Sequence, residues 1–230
     1  SYDPAYGYEI AIIVQDGLRR MVAEQEDIFF YLTLANENYQ HPEMPEGAKE
    51  GVIKGMYRVR EAADDKPVVR LLGSGAILRE TLEAADLLAD DHDVAAEVWS
   101  VTSYTELRRE ALKADRQKRH GVDDVPVPWV TQCLGPEVSS PVVAASDYMK
   151  ALPDGIRAWV PGHYEVLGTD GYGRSDSRSE LRDFFEVDCR HIAVAALHSL
   201  TETGDLSRSV VKKAIERYEI DINRPDPAQS

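Results

Sequence analysis

The stretch GTDGYGRSDSR, Gly168 to Arg178, holds the densest set of side chains suited to recognition in this sequence. It follows a short apolar run, His163 to Leu167, with the composition of a strand. Its glycines free the backbone to turn with positive φ. Ser177 and Glu180 stand at N-cap and N3 spacing, so each can satisfy an orphan amide where a helix begins. A donor-rich loop at the carboxyl end of a strand is where open α/β sheets present function. A second candidate, Asn36-Glu37-Asn38-Tyr39-Gln40-His41, directly follows the apolar run Ile28 to Leu34. Polar residues at that edge suit a ligand-facing loop and a hydrogen-bonded linker equally well.

Other chemically capable residues have plainer readings. Gly73-Ser74-Gly75 separates an apolar run from a helical one, where backbone amides can hold a phosphate. It is neither a full dinucleotide fingerprint nor a P-loop, and reads first as a tight turn. His191 and His198 share a helical face but lie two turns apart, about 10 Å along the axis, whereas a helical metal pair needs one turn. Cys189 and His191 point to different sides of the same helix, a poor arrangement for activating a thiol. Ser146, Ser175 and Ser177 lack a nucleophile elbow, and capping explains them. Arg108, Arg109, Lys113, Arg116, Lys118 and Arg119 form a basic cluster interrupted by Glu110 and Asp115, without interleaved aromatics. It reads as a solvated helix face or a salt-bridged subunit contact rather than an anion site.

The elements that must position these residues follow from periodicity. Asp3-Pro4 suits a helix start, and Ile10, Ile13, Val14, Leu18, Met21 and Val22 continue at helical spacing. Ile28 to Leu34 is apolar on both faces, the pattern of a parallel strand covered on two sides. One helix and one such strand make no sheet, and exposing Ile28, Phe29, Phe30 and Leu32 forgoes about 1.5–3 kcal/mol each. The neighbours of that strand are therefore expected elsewhere, in a missing part of the same domain or another subunit. The absence of an initiator Met before Ser1-Tyr2 favours a fragment. Residues 36–61 read as a connector with a short helix near Glu50 to Tyr57, and Asp64 to Pro67 as a turn. Strands are expected at Val68–Leu72, Val94–Ser100, Val142–Ala145 and Tyr164–Leu167. The helix after Gly75 turns Leu78, Thr81, Leu82, Ala85 and Leu88 inward, and a Ser103–Glu106 capping pair opens the next one, to about Arg119. Pro126, Pro128 and Pro136 mark an irregular stretch, and Ser146-Asp147 a helix cap. Further helices fall at Glu180–Val187, Cys189–Thr203 and Leu206–Tyr218, with a tail from Arg224 that should fray. Strands alternating with helices mean a parallel α/β sandwich.

Composition narrows the function. The chain has 230 residues, 43% of them hydrophobic, enough to build a core. A net charge of −15 repels phosphate backbones, so nucleic acid is not an expected partner. Cys133 and Cys189 have no framework spacing and read as free thiols of a reducing compartment. No apolar run is long enough to span a bilayer and no leader-type segment opens the chain, so a cytoplasmic protein with no membrane partner is expected.

Several longer motifs carry a resemblance: SYDPAYGYE from Ser1, LANENYQHPEMPEG from Leu34, LLGSGAILRE from Leu71, SVTSYTELRRE from Ser100, ASDYMK from Ala145 and VLGTDGYGRSDSR from Val166. Together they span nearly the whole chain, which resembles the C-terminal part of the bacterial homodimeric pyruvate dehydrogenases. These are the thiamine-diphosphate-dependent first components of the pyruvate dehydrogenase complex. The resemblance implies a three-layer α/β/α sandwich of the transketolase C-terminal type, mostly parallel with one antiparallel strand, preceded by the tail of a pyrimidine-binding α/β domain. It divides the chain into residues 1–45, the incomplete pyrimidine-binding part; 46–66, a linker; and 67–230, the C-terminal domain.

The resemblance also implies thiamine diphosphate and Mg²⁺ in the full-length enzyme, but none bound by this stretch. The family's Gly-Asp-Gly…Asn signature is absent. Asp16-Gly17, Asp154-Gly155 and Asp170-Gly171 lack the preceding glycine, and Asn36, Asn38 and Asn223 follow none of them suitably. Glu9 matches a position other than the family's activating carboxylate, so no catalytic, cofactor or metal residue carries over. The implied partners are the remaining domains of the same polypeptide, a homodimer partner and the dihydrolipoyl acetyltransferase component. Asn36, Asn38 and His41 become substrate-entrance candidates. Asp170, Arg174, Asp176 and Arg178 become interface candidates, the two arginines expected to pair with carboxylates. A non-enzymatic interaction module, or part of a related transketolase-type enzyme acting on sugars or another 2-oxo acid, are the alternatives.

Overall fold

A computed structural model describes residues 1–63, 68–136 and 140–229. At its centre lies a five-stranded sheet among the described residues, ordered β1-β3-β2-β4-β5. The strands are β1 (Tyr57–Arg60), β2 (Val68–Gly73), β3 (Ala95–Ser100), β4 (Val142–Ala145) and β5 (Tyr164–Leu167). β2 runs parallel to both β3 and β4, pairing Leu71 with Val98 and with Val143, and β4 runs parallel to β5. β1 closes the β3 edge antiparallel, with an irregularity between Arg58 and Arg60. Side-chain alternation explains why the sheet is buried on both faces. Val69, Leu71, Val143 and Ala145 enter one core with helices α3 (Ile77–His92), α8 (Cys189–Glu202) and α9 (Ser209–Arg217). Leu72, Val142 and Ala144 enter a second core with Leu107 of α4 (Tyr104–Arg119) and Val130 of α5 (Trp129–Leu134). The mostly parallel, three-layer α/β/α expectation holds.

The amino-terminal segment packs differently. Helix α1 (Gly7–Leu18) continues as a π-helical turn, Arg19–Ala23. It buries Ile12, Ile13 and Gly17 on one side and leaves Val14 and Leu18 exposed on the other. The helix does not begin at Asp3-Pro4 as expected. Residues 2 and 3 are drawn into extended contacts, with Tyr2 bridging Leu32 in parallel and the Asp3 amide donating to the Thr102 carbonyl at 2.7 Å. Glu9 then takes over the helix start, accepting the Tyr6 amide at 2.9 Å. Its buried carboxylate also accepts the Tyr57 hydroxyl at 2.6 Å and the Ser100 hydroxyl at 2.7 Å, tying α1 to β1 and β3.

Ile28 to Leu34 is extended but joins no sheet among the described residues; the Tyr2–Leu32 bridge is its ladder contact. Phe29 is 86% exposed and Leu34 65%. Phe30 and Leu32 find partial local cover against the small core of Tyr2, Ile12 and Ile13, Phe30 stacking on Tyr2 with ring centroids 5.8 Å apart. The connector over 36–61 proves more structured than expected. It carries α2 (Ala48–Lys54) and the sheet strand β1, so a linker spanning 46–66 overlaps the sheet itself. The Asp64–Pro67 turn lies outside the described residues. Ser146 is not a helix cap. It is fully buried, accepts the Tyr148 amide at 3.2 Å and lies 3.0 Å from the Ser74 hydroxyl, while α6 starts later, at Ala151–Asp154. The tail does not fray at Arg224: its guanidinium reaches Asp183 at 2.6 Å, and Pro227 abuts Gly171.

Candidate functional site

The glycine-rich loop leaves β5 and is pinned at its root. A Cβ on Gly168 would lie 2.5 Å from the Tyr148 carbonyl, so only glycine allows the chain to pass this closely. Thr169 donates its amide to Tyr148 at 3.0 Å and its hydroxyl to the Asp147 carbonyl at 2.6 Å. Asp170 accepts the Lys150 amide at 3.2 Å. Beyond that root every residue from 171 to 180 is exposed, with the Tyr172 ring 85% accessible at the tip. Arg174 lies over the Phe184 ring, 4.3 Å from its centroid, and Asp176 accepts the Ser177 amide at 2.7 Å. Ser177 caps α7 (Arg178–Phe184) by accepting the Glu180 amide at 3.3 Å. Arg178 donates to the Asn36 carbonyl and stands 3.9 Å from the Glu37 carboxylate. The two candidate stretches therefore meet.

Within 36–41, Asn36 and Asn38 are exposed, and His41 accepts the Gly7 amide on Nδ1 at 2.7 Å while stacking on Tyr39. The side chain that anchors this loop is Glu37. Its Oε1 accepts from Arg79 at 2.8 Å and its Oε2 from Arg182 at 2.8 Å. Burial raises the Glu37 pKa, but the Arg182 and Arg79 guanidiniums outweigh it and hold the carboxyl below the usual glutamate value. Arg182 also reaches Glu80 Oε1 at 2.9 Å, and Glu80 Oε2 accepts the Cys189 amide at 3.1 Å. Glu80 is pushed up by burial, a rise that Arg182 opposes. Glu37 lies inside the 36–41 candidate stretch but not among its site candidates, and Arg79, Glu80 and Arg182 lie outside both candidate stretches. The available signal was Arg79-Glu80, two charged residues beside inward-facing Leu78.

The remaining candidates keep their plain readings. Gly75 has φ +50°, and a Cβ there would lie 2.5 Å from the Asp3 carboxylate, so an anion at this turn would face a negative charge. Buried His191 holds Nδ1 2.7 Å from Asp188, and exposed His198 lies 3.3 Å from Glu165. Burial pushes the Cys189 thiol up to about 12, helped by Glu80 and Asp188, which removes thiolate character. On α4, Glu110 and Asp115 bind Trp129 and Trp159, leaving the cluster's exposed cations, such as Arg109, to solvent or local acids. No helix among the described residues is long and apolar enough to cross a membrane.

A mostly parallel sheet covered on both faces, with an antiparallel edge strand and a pinned glycine loop at its carboxyl end, defines an α/β domain of transketolase type. The chain belongs to the family described as the transketolase-like TK C-terminal domain, whose model matches residues 55–188. The pyruvate dehydrogenase E1 component middle domain model matches residues 1–42. Over 99% of its length the chain is 50% identical to the pyruvate dehydrogenase E1 component of Pseudomonas aeruginosa and 47% identical to that of Escherichia coli K12. It spans 26% of the length of each. Transketolase from Pichia stipitis in complex with sedoheptulose 7-phosphate superposes with a TM-score of 0.60 at 17% identity, over 88% of this chain and 25% of the other. Transketolase from Campylobacter jejuni gives 0.58 at 16%, over 86% and 26%. These likenesses establish the fold.

The described residues do not fit a metal-bound diphosphate. The Asp-Gly carboxylates are engaged locally: Asp16 with Arg19 and Asp154 with Arg157, each at 2.6 Å, and Asp170 with the Lys150 amide. Two other groupings bring ligand-type atoms together, Glu80–Glu83–Cys189 and Asp183–Asp188–His191. Arg182 already occupies Glu80, and Arg190 and Arg224 occupy Asp183.

Proposed function

We propose that this chain is the carboxyl-terminal part of a cytoplasmic pyruvate dehydrogenase E1 component. The full-length protein would decarboxylate pyruvate with thiamine diphosphate and Mg²⁺ and acetylate the lipoyl group of the dihydrolipoyl acetyltransferase component. The role of this part is architectural. Residues to about 45 complete the pyrimidine-binding domain, a connector follows, and the sheet domain extends to residue 230, with β1 belonging to that sheet. Asp170, Arg174, Asp176 and Arg178 lie on a loop suited to contact other domains or the homodimer partner, and Asn36, Asn38 and His41 border the substrate entrance.

The observation that carries this reading is the uncovered apolar surface on α1, its π-helical continuation and the 28–34 stretch. Phe29, Leu34 and Val22 are 86%, 65% and 63% exposed. Solvating such side chains forgoes about 1.5–3 kcal/mol each, a loss that further domains would recover by burying them. The lack of a diphosphate-binding residue set supports the second half: alone, the chain neither binds thiamine diphosphate nor turns over pyruvate. Titration calorimetry of the 230-residue chain with thiamine diphosphate and Mg²⁺ is expected to show no binding heat. Tight binding would overturn the architectural role.

A further inference from the structure

Arg182 lies where three parts of the molecule converge. It belongs to α7, the helix that the glycine-rich loop leads into. Its Nη2 donates to Glu37 of the 36–41 loop at 2.8 Å and its Nη1 to Glu80 of α3 at 2.9 Å. Glu80 in turn accepts the amide at the start of α8, and Glu37 accepts from Arg79, whose guanidinium covers the Tyr39 ring at 4.9 Å. The result is an alternating row, Arg79–Glu37–Arg182–Glu80. The side chains of Glu37, Arg182 and Glu80 are only 17%, 11% and 12% exposed.

We infer that Arg182 is a positioning residue that locks the 36–41 loop in register with α3 and α7. A half-buried ion network adds little net stability over apolar packing, but it penalises every arrangement that leaves one member unpaired. Removing Arg182 leaves the Glu37 and Glu80 carboxylates facing each other. Removing the Glu37 charge by Glu37→Gln leaves one acceptor oxygen for two guanidiniums and turns an NH2 donor on one of them. A lysine cannot replace Arg182, because one ammonium on a flexible stem lacks the planar fork that serves two acceptors at once. The consequence for catalysis, a fixed border to the substrate entrance, rests on the function proposed above; the lock itself does not.

The test uses the full-length protein and hydrogen exchange read on peptides covering 34–41, with peptides of β2 and β4 as internal controls. R182Q and R182K are both expected to speed exchange at 34–41 about tenfold or more while β2 and β4 stay unchanged. E37Q, which leaves the Arg182–Glu80 pair intact and so spares the fold, is expected to do the same. Unchanged exchange at 34–41 in E37Q, or wild-type exchange restored by R182K, overturns the lock. Pyruvate kinetics on the same variants separate the two claims. If loop exchange rises while KM for pyruvate stays constant, the lock stands and the loop's place at the entrance falls.

Discussion

Val142 to Ala145 and Ile28 to Leu34 are each apolar on both faces, and only the first is buried. Val142 to Ala145 forms β4, flanked by β2 and β5 and sandwiched between two cores, with all four side chains at most 1% exposed. Ile28 to Leu34 has the same character but gains one parallel bridge to Tyr2 and leaves Phe29, Tyr31 and Leu34 in solvent. Local pattern reports what a segment is built for; neighbours decide whether it gets there. The matched family models divide the chain the same way, the sheet falling within residues 55–188 and the exposed stretch within 1–42.

Substitution in the 230-residue chain should sharpen that contrast. Leu72→Ala, fully buried in β2, is expected to cost about 2–5 kcal/mol in urea unfolding, whereas Phe29→Ala should change stability by less than about 0.5 kcal/mol. Equal costs would break the comparison. The seam between the two regions comes next. Glu9→Gln takes a carboxylate acceptor from Tyr57 and Ser100 across that seam and should cost about 1–3 kcal/mol, read from the same unfolding curves.

A pH series tests the other seam. Glu37 has a lowered pKa in the folded chain, so its pairing stabilises fully above the ordinary glutamate value and fades as pH falls through the depressed one. Wild type should therefore exceed E37Q by about 1–2 kcal/mol near neutrality, with the gap closing in acid; a gap that widens in acid contradicts the pairing. The smallest effect is expected at the loop tip. Tyr172→Ala should leave the isolated chain within about 0.5 kcal/mol of wild type, since its ring is 85% exposed.

Much of the fold was legible. β2, β3, β4 and β5 announce themselves because both faces of each carry apolar side chains, and Ser103 and Ser177 mark helix starts through the hydrogen bonds they later make. β1 escaped notice because Tyr57-Arg58-Val59-Arg60 is short and carries two arginines, as edge strands do. The glycine loop was found from its composition, but its root was not. Gly168 and Thr169 are held by Tyr148 and Asp147, contacts that no local pattern encodes. Glu37 stands in a candidate stretch, but its anchoring role is not legible there for the same reason, since its partner Arg182 lies 145 residues away.

Under the proposed function, parts of the protein outside these 230 residues cover the 28–34 stretch. Thiol labelling of Phe29→Cys measures that directly, with little background because burial pushes Cys133 and Cys189 up to about 12. Rapid labelling is expected in the 230-residue chain and strong protection in the full-length protein; equal rates in both would contradict that cover.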